Sequence, residues 1–261
     1  MDKYQPQLVW FDWWIEEPAF EPYRKAFAAY YYNRAAQWGR GVAINYKNQA
    51  FPPEAAVYDI ERGQLDDCNP HFWQTDTAVA KNSWGYTTDL DYKTSESIVG
   101  DLVDIVSKNG ALLLNIGPAP DGTIPEPDER ILLEIGNWLA VNGEAVFSTR
   151  PWRVFGEGPT QVLKGGFTDT KRAAFTSQDI RFTPSSGALY ATVLAWPENG
   201  EVTIQSLGTN LRLYPKEVGN VQLLGASQPL KWARGKAGLK VKLPEAKPCE
   251  AAYVVKVTPK G

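Results

Sequence analysis

Two short apolar runs in this chain close on carboxylates. Leu8-Val9-Trp10-Phe11-Asp12-Trp13-Trp14 is filled with aliphatic and aromatic residues and holds Asp12 near its end, while Val57-Tyr58-Asp59-Ile60-Glu61 finishes on Glu61 just before Gly63. Both read as buried strands, in which successive side chains take opposite faces. Trp10 and Asp12 then share a face, as do Val57, Asp59 and Glu61. With Phe11, Trp13, Tyr58 and Ile60 packed outward, Asp12 and Glu61 look into a common interior. Two carboxyl groups beside an indole can cleave a glycosidic bond, one attacking carbon and the other moving a proton. Each acid also has a plainer reading, Asp12 as the cap of a turn and Glu61 as half of an ion pair with Arg62.

Composition narrows the chemistry. A hydrophobic content of 43% with 22% charged residues over 261 positions is that of a globular protein with one large domain or two ordinary ones. A net charge of -3 sets aside nucleic acid and anionic membrane as the main partners, and no apolar run reaches the roughly 18 residues of a membrane span. The 10 Trp and 12 Tyr exceed what a core of this size needs, and flat aromatic faces suit the C–H surfaces of sugars. His71 is the one histidine, and there is no HExxH or CxxC pattern, so zinc hydrolysis and a Ser-His-Asp triad lack their residues. Carboxylates remain, and neither metal nor organic cofactor is expected. Cys68 and Cys249 fix no metal motif and no redox compartment. The few residues before the first strand leave no room for a signal peptide.

The elements that must position these acids follow from periodicity. Phe20, Tyr23, Phe27, Tyr30 and Tyr31 recur at helical spacing up to Trp38, and Gly39 stops them. Val42–Lys47 reads as a second strand, separated by Pro52-Pro53 from the strand that ends on Glu61. Phe72–Asp76 reads as strand and Ser83–Tyr86 as a rim loop, with Trp84 and Tyr86 equally open to a core reading. Thr94 or Ser95 caps an amphipathic helix through Ile98, Leu102, Ile105 and Val106, and Asn109-Gly110 ends it. Ala111–Gly117 is a further strand, and Pro127 opens a helix that Asn142-Gly143 ends. Strand and helix thus alternate to about residue 145, which argues a parallel α/β layout. Beyond Thr149-Arg150-Pro151 come short alternating strands at 188–196, 201–204, 221–224, 239–243 and 253–257, the texture of a small antiparallel sandwich.

The acid-ended strands and the motifs around them resemble the retaining α-L-fucosidases of glycoside hydrolase family twenty-nine. The matching pieces are Trp10-Phe11-Asp12, Asp59-Ile60-Glu61-Arg62-Gly63, Trp73-Gln74-Thr75, Ser83-Trp84-Gly85-Tyr86, Asn109-Gly110, Leu113–Pro118, Asp121-Gly122, Asn142–Ala145 and Pro151-Trp152-Arg153, in family order; Trp196–Gly200 resembles the family's C-terminal domain. The resemblance implies a partial (β/α) TIM-type barrel, its C-terminal half, over residues 1–149, followed by a β-sandwich over 150–261. It implies Asp12 as nucleophile and Glu61 as acid/base, acting on a fucosylated glycan. Trp10 and Trp84 fall where family members pack aromatic rings on the sugar, whose C6 methyl suits apolar walls. Lys47 falls near a basic position that contacts sugar or nucleophile, although a lysine after a short strand reads on its own as solvated. Where many members carry Glu, this chain has Gln74, which cannot exchange a proton near neutral pH. The family's barrel begins well before the nucleophile strand, and that half, with its histidines, is not in this sequence. An open half-barrel leaves strand edges and an interior face uncovered, so a separate N-terminal barrel half or self-association is expected. The resemblance fixes no compartment.

Overall fold

The structure is a computed structural model and describes residues 1–185 and 187–261. Its first part is a five-stranded parallel sheet in the order β1 (Leu8–Trp10), β2 (Ala43–Tyr46), β3 (Val57–Glu61), β4 (Trp73–Ala78) and β5 (Gly110–Asn115). Sequence order equals spatial order, so each strand adds to the last in one direction, as in a segment of a barrel. Helix α1 (Glu21–Trp38) joins β1 to β2, α2 (Ser95–Ser107) joins β4 to β5, and α3 (Glu126–Asn142) follows β5. No helix fills the β2–β3 or β3–β4 connection among the described residues, so the alternation read from the sequence is incomplete there.

Each helix owes its place to an identifiable face. Phe27 of α1 meets Phe11 edge-on at 5.2 Å and stacks on Tyr31, whose hydroxyl donates to the Pro6 carbonyl at 2.7 Å. Gly39, with φ 65°, caps the helix in the left-handed conformation that costs glycine least. Thr94 accepts from the Ser97 amide at 3.1 Å as the N-cap of α2, as its sequence indicates. Ile98, Val99 and Val103 of α2 pack with Ile131, Ile135 and Trp138 of α3.

The second part is a β-sandwich. One sheet has the order β10 (Val218–Leu223), β13 (Tyr253–Pro259), β8 (Ala188–Val193), β7 (Ile180–Ser185) and β6 (Gly156–Glu157), and the other is β11 (Lys231–Gly235), β12 (Gly238–Lys242) and β9 (Glu201–Ile204). All the pairings are antiparallel. Phe182, Ala191, Val193 and Val255 meet Ile204, Leu239 and Val241 between the sheets. The opposite face of the larger sheet is also covered, because Ala188, Tyr190 and Val254 pack on the α2–α3 pair. Burial on both faces explains why all six residues of β8 are buried and why Thr192 is its one polar side chain.

Polar ties lock the two parts. Asp104 of α2, fully buried, pairs with Lys108 at 2.6 Å and with Arg181 of β7 at 2.5 Å, and the Trp138 indole donates to the Ala252 carbonyl at 2.7 Å. Satisfied on both oxygens, the Asp104 carboxylate sets the register of α2 on β7, whereas removing either cation would strand a buried charge.

Candidate active site

The parallel register brings the acids together. Glu61 lies opposite Asp76, and Asp59 opposite Gln74, across the β3–β4 pair. All four side chains fall on the inner face by the two-residue period, and β5 contributes Leu113 and Asn115 to the same face. A cavity of about 320 Å³ opens at the C-terminal ends of these strands, lined by Trp10, Asp12, Lys47, Glu61, Asp76, Trp84, Leu113 and Asn115. Every site residue expected from the sequence lines this one cavity. A larger cavity of about 920 Å³ lies between α1 and the connections on either side of β3, but its lining carboxylate, Glu21, is already paired with Lys25 at 2.7 Å. The smaller cavity is the one that gathers chemistry.

Lys47 is its electrostatic centre and departs from the solvated reading, with a relative exposure of 3%. Its ammonium donates to Asp76 Oδ1 at 2.7 Å, stands 3.4 Å from Glu61 Oε2, and sits 5.2 Å from the centre of the Trp10 ring. A single cation thus offsets two carboxylates and a third nearby, which is why three acids can share one rim. Burial nonetheless outweighs the Lys47 hydrogen bond at Asp76, and with the Asp59 and Glu61 charges adding to it, the Asp76 carboxyl is pushed up to about 6. Asp59 is also raised, chiefly by burial, against hydrogen bonds from the Trp10 indole and from Gln74 at 3.2 Å. Its Oδ1 and the Asn45 Oδ1 are buried without a partner among the described residues.

The Trp10 indole donating to Asp59 fixes that ring as a wall beside Asp12. Asp12 itself lies two residues past β1, where the Phe11 amide still bonds the Asn45 carbonyl at 2.9 Å, and it is open to solvent. Trp13 does not pack outward as the alternation predicts. The strand has ended, Trp14 takes a positive φ of 74°, and the Trp13 indole swings onto the rim to donate to Glu61 Oε2 at 2.6 Å. Glu61 makes no pair with Arg62. The Arg62 guanidinium instead bonds the carbonyls of Ala80, Lys81 and Ser83 and stacks 4.3 Å from the Trp84 ring. Asn115 completes the clamp by donating to the Trp84 carbonyl at 2.6 Å. Trp84 is 36% exposed and Tyr86 is exposed as well, so neither belongs to the core.

Asp76 was not singled out by sequence reasoning. Its position, two residues past Gln74 on one strand, carried the signal, yet only the β3–β4 register sets it against Glu61. Among the described residues, no group of three or more His, Cys, Asp or Glu side chains is disposed to hold a metal ion, and no helix is long and apolar enough to cross a membrane. Cys68 and Cys249 are free thiols away from the cavity lining.

Comparison with known proteins agrees along the whole chain. The family model described as Alpha-L-fucosidase matches residues 1–144, and that described as Alpha-L-fucosidase C-terminal domain matches residues 173–258. The tissue alpha-L-fucosidase of Homo sapiens is 30% identical over 99% of this chain and 53% of its own length. The plasma alpha-L-fucosidase of Rattus norvegicus is 31% identical over 98% of the chain and 54% of its own. The chain therefore spans about half the length of the relatives it matches. Among solved structures, a Thermotoga maritima alpha-fucosidase in complex with fucose superposes with a TM-score of 0.73 at 24% identity, over 98% of this chain and 53% of that one. A Bacteroides thetaiotaomicron alpha-L-fucosidase superposes with a TM-score of 0.71 at 18% identity, over 97% and 56%. These likenesses carry the fold, a partial (β/α) barrel followed by a β-sandwich.

Proposed function

Because the chain belongs to the alpha-L-fucosidase family, we propose that its rim performs retaining hydrolysis of terminal α-linked L-fucose from glycans. Asp12 is the nucleophile. Its carboxylate attacks the anomeric carbon while Glu61 gives a proton to the departing glycosidic oxygen, and Glu61 then takes a proton from the water that releases fucose from Asp12. Lys47 steadies the negative charge of Glu61 and Asp76 and holds the Trp10 face, and Trp10 and Trp84 form the apolar walls against which the sugar and its methyl group pack. On this reading residues 1–149 are the catalytic portion and residues 150–261 its supporting sandwich. The observation that carries it is the shared cavity, in which Asp12, Glu61, Lys47 and two indoles converge at the C-terminal ends of parallel strands.

The test is covalent trapping. A 2-deoxy-2-fluoro-fucosyl fluoride should add one fluorofucosyl mass to the protein and label the peptide holding Asp12, and Asp12→Gly should abolish the adduct. Labelling at another carboxylate would remove Asp12 from its role.

The coverage of about half of each relative favours a second reading, in which this chain supplies acids and sandwich but needs a separate N-terminal barrel half, or another copy, to bind sugar. β1 and β5 each offer one unpaired edge among the described residues, which is where such a segment would dock. Trapping that appears only after a polypeptide with the missing strands is added would select this reading.

A further inference from the structure

Beside Glu61, outside the cavity lining, stand two exposed rings that the proposed reaction leaves without a task. Trp13 is 43% exposed and Phe167 47%, with centroids 6.2 Å apart and planes inclined at 59°. Phe167 comes from the segment 163–172, which leaves β6 and returns across the barrel rim before β7. This segment is strapped down. The Gly165 amide bonds the Gln64 carbonyl at 2.9 Å, the Phe167 amide bonds the Glu61 carbonyl at 2.9 Å, and the Thr168 and Asp169 amides both reach the Arg62 carbonyl. Asp169 Oδ2 accepts from Lys93 Nζ and Thr77 Oγ1, each at 2.6 Å, and the three residues are buried or nearly so. Gly63 leaves no room for a β-carbon against the Gly165 carbonyl.

The strap holds Phe167 at φ 56°, a left-handed conformation that a bulky L-residue rarely adopts. Strain of this kind persists where the surroundings over-determine it, and it gathers at sites that use it. Its result here is an aromatic ring held in solvent next to a carboxylate rather than buried.

We propose that Trp13 and Phe167 form a platform for the leaving-group saccharide, the sugar to which fucose is joined. The proposal rests on Glu61 being the acid/base. A group that protonates the glycosidic oxygen must stand on the side from which the leaving sugar departs. Trp13 Nε1 donates to Glu61 Oε2 at 2.6 Å, so the platform borders that oxygen. Both rings are uncharged, which matches the C–H face of a neutral pyranose. The sandwich region thereby takes part in choosing the substrate, through a residue about a hundred positions from the acid it borders.

The test compares the affinity of the chain for methyl α-L-fucoside with that for a disaccharide of fucose α-linked to a neutral hexose, by titration followed by saturation-transfer NMR. The disaccharide should bind more tightly. Phe167→Ala should lower the disaccharide's affinity about fivefold more than it lowers the methyl fucoside's, and Phe167→Tyr should restore the preference. Phe167→Gly, which suits the positive φ, should give the same loss and separates the ring from any disturbance of the strap. A preference that survives Phe167→Ala, or a wild type that does not favour the disaccharide, overturns the platform and leaves the fucosidase reading intact. Failure of the wild type to bind either ligand overturns that reading and the platform together.

Discussion

Val255 in β13 and Leu113 in β5 are both mid-strand aliphatic residues, but one is sealed between two sheets and the other is 47% exposed on the inner face of a partial barrel. The difference runs through the molecule. The sandwich closes on itself and covers its larger sheet a second time with α2 and α3. The parallel sheet buries its outer face, and its inner face carries Asp12, Glu61, Lys47 and Asp76 around a cavity that is open to solvent at Asp12 and Leu113. Stability and chemistry are thus separated in space. The carboxylates and the lysine of the cavity sit on the inner face of the parallel sheet, and the apolar surplus sits where no reaction is proposed.

Mutations sharpen that separation. The largest effect belongs to Phe182→Ala, which removes a fully buried ring packed edge-on against Trp152 at 5.0 Å. It should cost about 3–5 kcal/mol in urea unfolding followed by far-UV circular dichroism. Gly63→Ala should come next, at roughly 1–3 kcal/mol, because its new methyl meets the Gly165 backbone rather than a flexible side chain. The same variant should loosen the strap, seen as faster amide exchange at Phe167, Thr168 and Asp169. Leu113→Ala should fall within about 0.5 kcal/mol, since half of the side chain is already in water. A Leu113→Ala loss comparable to that of Phe182→Ala would mean that the inner face is covered in solution.

Asp76 adds a pH signature to the open half. Its folded value of about 6 stands above the ordinary 3.8, so between these values the folded chain holds a proton that the unfolded chain releases. Stability from this group therefore rises as pH falls from 7 through 6 towards 4, opposite in sign to an ion-paired carboxylate with a depressed value. The difference in unfolding free energy between wild type and Asp76→Asn should shift in favour of wild type over that interval, and carboxyl-carbon NMR should show one midpoint near 6. An ordinary midpoint for Asp76 would mean that Lys47, and not burial, governs the rim.

Much of this arrangement was legible in the sequence, for local reasons. Thr94, the apolar stripe of α2 and Asn109-Gly110 each act within a turn or two, so that helix could be read directly. The strands bearing Asp12 and Glu61 were legible because apolar residues surround an acid that needs a cause. What escaped depends on distant partners. β7, with Arg181, Thr183 and Pro184, looks too polar for a central strand until Asp104 and the Ala145 carbonyl satisfy Arg181 and Thr183. β11 is a charged edge strand that pairs with β12 alone. Trp13 turned inward because β1 stopped at Trp10 and not two residues later. Lys47 was hidden by its type, since a buried lysine is recognised by the carboxylates that face it, and those lie on β3 and β4.

The measurement that tests the account most directly is release of aglycone from an aryl α-L-fucoside by this chain alone, beside its Asp12→Gly variant. The account predicts turnover by the wild type and its loss, by three orders of magnitude or about that, in the variant. Equal release by the two proteins, or none from folded wild type, would contradict it.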